Sequence, residues 1–254
     1  LGQGLTVAAL ALLLWWGLME ALSLNTFFAK RPADVFAALI TAPDAAQTRA
    51  TLFAAMSETL VLLVPGYVAG LAAGCGLAVV LVLAPALASI AMPVAIALRS
   101  VPIVTTAPLI VLFLGRGATG TIVLVAVMVF FPTFVACAHG LRRAPGQIAE
   151  VFDSYHASRL ARLLYLRIPA MLPSFFAAAR MSVPAAVLAV TVVEWLATGI
   201  GVGSLMALSA SLSDYRMLWS AVFAVTVMSV LLYIGVAWLE RRILAIYAPE
   251  QGRA

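Results

Sequence analysis

Charge is what this sequence has least of. Only 10% of its 254 residues are Asp, Glu, Lys or Arg, against roughly 25% in a soluble domain. Fifteen basic and ten acidic side chains are too few to cover a water-soluble fold of this length. Lysine occurs once, at Lys30, and no GxxxxG run precedes it. That excludes a phosphate-gripping Walker loop, and with it ATP hydrolysis through such a site. Cysteine occurs twice, at Cys75 and Cys137, each inside an apolar run with no CxxC spacing. Both read as small packing residues. His139 and His156 flank a basic stretch without metal-ligand spacing, and no Ser-His-Asp, HExxH or paired-carboxylate arrangement stands in a polar loop. An enzyme is not expected, nor a metal site.

Hydrophobicity fills the space that charge leaves. Apolar residues make up 65% of the chain and the mean hydropathy is +1.12. Such a surface is stable only with lipid as solvent. A net charge of +5 and a pI near 9.7 would suggest nucleic acid in a soluble protein. In a membrane protein basic residues gather in cytoplasmic loops and report topology, so no nucleic-acid partner is expected.

A membrane-crossing helix needs about 20 apolar residues. That ruler divides the chain into six spans, near 5–27, 60–83, 88–114, 121–138, 172–197 and 218–239, in one transmembrane domain covering residues 1–254. The first lacks a basic leader and is too long for a signal-peptide core, so it reads as an anchor. The chain opens at Leu1 rather than Met, and some of the natural N-terminus is expected to precede it. Between spans one and two, Val35, Phe36, Leu39 and Ile40 fall at helical spacing and predict an amphipathic helix at the membrane surface. The sixth span is expected to close at Glu240, Arg241 and Arg242. With the N-terminus inside, the cytoplasm receives Arg142, Arg143, Arg159, Arg162, Arg167, Arg241, Arg242 and Arg253. The other side receives Lys30, Arg31, Arg49, Arg116 and Arg216.

The third span carries Pro93, Pro102 and Pro108 with Arg99. Proline removes a backbone donor and kinks a helix. In lipid the freed carbonyls must face protein or cavity water, so broken helices mark transport pathways. Charged groups at the bilayer centre cost about 2.5–3.5 kcal/mol on insertion scales. Arg99 and Glu194 are therefore the ionisable residues with most to say, and both are expected to face the bundle interior. They either pair with each other or line a hydrated path with Pro102, Gly199 and Gly201. For Arg99, bonding to carbonyls freed by the nearby prolines is an equal alternative. Arg180, early in the fifth span, lies about 21 Å along the helix from Glu194, too far to pair with it. Glu20 and Glu58 sit near span ends and read as interfacial, as do Tyr215, Trp219 and Tyr247.

The longest hydrophilic stretch, 139–169, contains EVFDSYHASRLARLLYLRIP. It resembles the loop signature of inner-membrane permeases of binding-protein-dependent ABC importers: Glu-Ala-Ala, three residues, Gly, nine residues, then Ile-x-Leu-Pro. Glu150 takes the Glu, His156 the Gly, Leu166 the Ile, Ile168 the Leu and Pro169 the Pro. Val151 and Phe152 replace the alanines. His156 resists the positive φ that glycine would accept, so the loop is expected to bend differently or grip its partner more weakly. Such erosion would suit one half of a heterodimer. Asp153, Tyr155, Arg159 and Arg162 predict a short amphipathic helix, with Leu160 and Leu163 or Leu164 available to a partner's groove. The runs IALRSVPIVTTAPLIVLFLGRG, VTVVEWLATGIGVGSLM and LLYIGVAWLERRIL look like the nitrate/sulfonate/taurine-type members.

The resemblance implies an all-α bundle like that of type I ABC importer permeases, with a cytoplasmic coupling helix in the bacterial inner membrane. It further implies two copies of a cytoplasmic ATPase, a second permease (identical or homologous) and an extracytoplasmic substrate-binding protein. No cofactor would bind this chain, since ATP and magnesium belong to the ATPase. The solute would be a small anion such as a sulfonate, taurine, nitrate or bicarbonate, or a pyrimidine-like vitamin precursor. Contact with the ATPase would fall to Glu150, Asp153, Tyr155, His156, Ala157, Arg159, Leu160 and Pro169. A non-transporting membrane scaffold and a passive channel are the rival readings.

Overall fold

The structure is a computed structural model that describes residues 2–84, 86–88, 90, 93, 97, 103–115, 117–143 and 146–247. All secondary structure among them is helical. In chain order the helices are α1 (Gly2–Ala21), α2 (Pro32–Phe36, continued by a wide π turn at Ala37–Thr41), α3 (Ala45–Leu83), α4 (Ile103–Leu114) and α5 (Ala118–Gly140). There follow α6 (Gly146–Ser154), α7 (Arg159–Thr198), α8 (Gly201–Ser211) and α9 (Tyr215–Tyr247). Four of them, α3, α5, α7 and α9, are long and apolar enough to cross a membrane. The first expected span corresponds to α1. Much of the first half of the third, including Arg99 and Pro102, lies outside the described residues, which resume for its second half as α4.

Two helices are far longer than the spans read from hydropathy. Helix α3 has 39 residues, about 58 Å, twice the hydrocarbon thickness. It starts fifteen residues before the second expected span, because Gln47, Arg49, Met56 and Glu58 are good helix formers that carry the same winding through a less apolar stretch. Helix α7 has 40 residues and takes in the last third of the hydrophilic stretch. Helix α9 likewise runs through Glu240, Arg241 and Arg242 to Tyr247, so those charges do not close it.

The amphipathic helix expected before α3 is split between two faces. Val35 and Ala38 are buried, while Phe36 and Ile40 point outward. A π turn over Ala37–Thr41 continues the helix past Phe36.

Helices α3 and α5 form the seam of the bundle. They run parallel, with Gly66, Gly70 and Gly74 facing Ile122, Ala126 and Phe130 in step. Helix α7 packs against both in the opposite direction, so that Leu62, Val125, Val129, Val187 and Val190 make the central core. At one end Leu52 and Val202 meet Ala221. At the other, Leu141, Leu163 and Met171 close the core. The expected interfacial aromatics tie α1 to α9: Trp15 and Trp219 stack at 5.4 Å, and the Trp219 indole N–H donates to the Phe28 carbonyl at 2.8 Å.

Candidate functional site

The segment 146–169 is a helical hairpin. Helix α6 ends in a left-handed residue, His156, at φ +52°. The Ala157 N–H donates to the Phe152 carbonyl and the His156 N–H to the Asp153 carbonyl, both at 2.9 Å. That bond pair is the Schellman stop, whose left-handed position is usually glycine. Histidine thus takes the conformation it was expected to resist, and the turn keeps the bend that a glycine would give. The cost of the Cβ in this region is about 1–2 kcal/mol, partly offset because glycine loses more chain entropy on folding. His156→Gly should therefore raise the melting temperature of the purified chain, by about 0.5–1 kcal/mol of stability. A lower melting temperature would mean that the imidazole itself holds the turn.

Ser158 then caps α7, its hydroxyl accepting from the Ala161 N–H at 3.2 Å. Asp153 and Arg162 form an ion pair that staples the two arms, and the Arg162 Nε–H donates to the Ala157 carbonyl at 3.2 Å. Asp153, Tyr155, Arg159 and Arg162 therefore straddle a turn instead of sharing one helix. Ile148, Val151 and Tyr155 fall three and four apart on the outer side of the first arm, and Leu160 and Leu164 are exposed on the second. Leu163 is not available to a partner, being buried with Leu141 and Met171. Glu150 and Arg159 are exposed beside this apolar stripe. A wide turn at Leu163–Arg167 follows, in which the Ile168 N–H reaches back to the Leu163 carbonyl. Pro169, with no N–H to give Tyr165, enters the helix where that turn absorbs the mismatch.

The second feature lies at the other end of α7. Glu194 is fully buried, at the start of a second wide turn, Glu194–Thr198. Gly199 closes that turn in the left-handed region, and Gly201 opens α8 with a positive φ as well. The first three N–H groups of α8 then meet three acceptors from two other helices. Gly201 N–H donates to the Glu58 carboxylate at 2.8 Å, Val202 N–H to the Thr59 hydroxyl at 3.0 Å, and Gly203 N–H to the Glu194 carboxylate at 3.0 Å. The Thr59 hydroxyl donates in turn to Glu194 Oε2 at 2.9 Å, and the Ser204 hydroxyl to the Glu194 carbonyl at 2.9 Å. Unsatisfied amides and the positive end of the helix dipole explain why two carboxylates gather here. A side chain at Gly201 would overlap the Glu194 carboxylate, and one at Gly203 the Thr191 carbonyl.

Of the residues expected along a path, the structure brings together Glu194 and Gly201, with Gly199 exposed beside them. Arg99 and Pro102 lie outside the described residues. Sequence reasoning placed Glu58 at an interface without a partner and passed over Thr59 and the whole of α8. The signal that could have found them was the glycine triplet five to nine residues after a buried acid. It also missed a second polar tie, in which the Tyr67 hydroxyl donates to the Ala179 carbonyl at 2.6 Å. Arg180 carries an ion pair with Glu240, Nε to Oε2 2.9 Å.

Comparison with known proteins places this arrangement in a family. Residues 66–245 match the model of the binding-protein-dependent transport system inner membrane component. A probable ABC transporter permease protein of Haemophilus influenzae is 30% identical over 61% of this chain and 64% of its own. The riboflavin transport system permease protein RibX of Chloroflexus aurantiacus is 30% identical over 59% of this chain and 56% of its own. The chain thus spans less than two thirds of the length of these two relatives. The taurine transport system permease protein TauC of Escherichia coli is 23% identical over 94% of this chain and 88% of its own. With its apolar helices and its match across most of the chain, this multi-pass membrane protein belongs to the family of ABC transporter permeases, the inner-membrane components of binding-protein-dependent transport systems.

Proposed function

We propose that the chain is the permease subunit of an ATP-driven importer in the bacterial inner membrane. It would form, with a second permease, the path for a small solute handed over by an extracytoplasmic binding protein. The observation that carries this reading is the hairpin at 146–169. It is stapled by Asp153 and Arg162, stopped at His156 and continuous with α7, and it presents an apolar stripe flanked by charges. A surface of that kind suits a partner's groove. A push on it would travel along a 40-residue helix to the Glu194 cap. In this reading α1, α3, α4 with the segment before it, α5, α7 and α9 are the six spans, with 146–169 in the cytoplasm. Two ATPase copies carry the ATP and magnesium. The names of the relatives, together with the resemblance of the third and fifth spans, support taurine, a related sulfonate or anion, or a vitamin-like heterocycle as the solute class. Gly199, Gly201 and Glu194 then stand at the outer gate, with Arg99 and Pro102 on the path.

The test is a double substitution, Glu150→Ala with Arg159→Ala, in membranes containing the whole transporter. Both side chains are exposed, so insertion and stability should not change, while nucleotide-driven uptake of the cognate solute should fall at least tenfold. Removing two charge-assisted contacts at about 1.5–3 kcal/mol each is enough for that. Unchanged uptake would dismiss the docking role of this segment. Flux without nucleotide would favour a channel, and failure of any P-loop ATPase to co-purify would favour a scaffold.

A further inference from the structure

Among the described residues, ion pairs join Glu20 to Arg31, Asp44 to Arg216 and Asp153 to Arg162, all at helix ends or in connections. The pair between Arg180 and Glu240 differs, because it links the bodies of two long apolar helices, α7 and α9. Glu240 is only 13% exposed in its side chain and Arg180 33%. Neither charge is easily kept at such a place without the other. One residue earlier, the Ala179 carbonyl takes the Tyr67 hydroxyl from α3. Helix α7 is thus gripped from two sides at one level. That level lies between Pro173 and Pro184, two positions where a helix bends readily because a ladder hydrogen bond is missing. Elsewhere α9 meets the core through apolar side chains alone, with Met228 buried and Leu232 and Val236 packed beside it.

We propose that Arg180 and Glu240 are positioning residues that make the middle of α7 and the last turns of α9 move as one body. Movement arriving from segment 146–169 at this level of α7 would then pass to α9 and not be lost at the bend beyond it, at Pro184. This rests on the importer reading above. Displacement that reaches the stretch of α7 between its two bends passes sideways to another helix through whatever is fixed there. The sole polar fixture from α7 to α9 among the described residues is this pair.

Hydrogen–deuterium exchange of the chain, assembled with its ATPase in lipid nanodiscs, tests it, with and without ATP and vanadate. In the wild type both 146–158 and 237–247 should change exchange on nucleotide trapping. In Glu240→Gln the response of 146–158 should persist, while that of 237–247 falls at least threefold. The double variant R180Q/E240Q leaves no lone charge; it should give the same result and serves if the single variant does not fold. Equal responses of 237–247 in variant and wild type overturn the transmission and leave the importer reading standing. A wild-type segment 146–158 that ignores nucleotide overturns the importer reading, and the transmission with it.

Discussion

Glu194→Ala is expected to detach the start of α8 and to lower the stability of the purified chain by about 3–5 kcal/mol. The buried Gly203 amide loses its acceptor, at about 1–3 kcal/mol for a donor left unpaired, while the Thr59 hydroxyl falls back on the Ala55 carbonyl at 3.1 Å. A void replaces the side chain at a site with no exposure, and Gly201 and Gly203 have no side chains to fill it. Glu194→Gln keeps an oxygen where Oε2 stands, so it should retain most of the stability. The pair separates two roles. If the carboxylate matters only as an acceptor, both melting temperature and transport survive in E194Q. If the gate needs the charge itself, stability survives and transport does not. Amide exchange over 201–211 gives the local readout, and should rise in E194A by two or more orders of magnitude. An E194A chain that melts with the wild type would show that the cap holds nothing.

The Glu194 cap also shows what the sequence could and could not reveal. A lone acid within an apolar run is costly in lipid, and from that cost alone its burial against protein was legible. Its partners were not. Thr59 lies 135 positions away, one residue before the start expected for the second span, and a hydroxyl at a span boundary carries no mark of its depth. Hydropathy senses how far a residue sits from water, whereas helix continuity depends on backbone preference. The two part company wherever a span runs on into solvent. That is why α3 and α7 extend past their expected ends, through Arg49 and Glu58 in one case and Arg159 and Arg162 in the other. Helix α8 escaped notice because Gly199, Gly201 and Gly203 announce a break, yet two of them serve to start a helix tight against an acid. At His156 the signature glycine pointed to a left-handed turn, and the structure keeps the turn without the glycine. The Schellman bonds and the Asp153–Arg162 staple are what hold a less suitable residue there.

Gly70→Val should be the most damaging single change away from any charged residue. A Cβ at Gly70 would stand 2.5 Å from the Ala126 carbonyl oxygen and 2.8 Å from the Val129 Cβ. The obstacle includes the backbone of α5, so no rotamer change relieves it. The two helices must part along a seam where Gly66 and Gly74 make approaches nearly as close, at 2.8 and 2.7 Å. Close backbone contact through small residues drives helix association in lipid, where burial of apolar surface gives little. Overpacking costs about 1–3 kcal/mol in a core that can shift; a rigid seam places the valine variant at or above the top of that range. The control lies six residues further along the same helix. Gly76 is exposed and nothing stands within 4 Å of its missing Cβ. There alanine should gain about 0.8–1 kcal/mol from helix propensity alone. Gly70→Ala receives that same propensity gain but must still push against a carbonyl, so its melting temperature should fall where that of Gly76→Ala rises. Shifts of the same sign at both positions, measured in detergent and in lipid, would mean that α3 and α5 do not approach as closely as the seam requires.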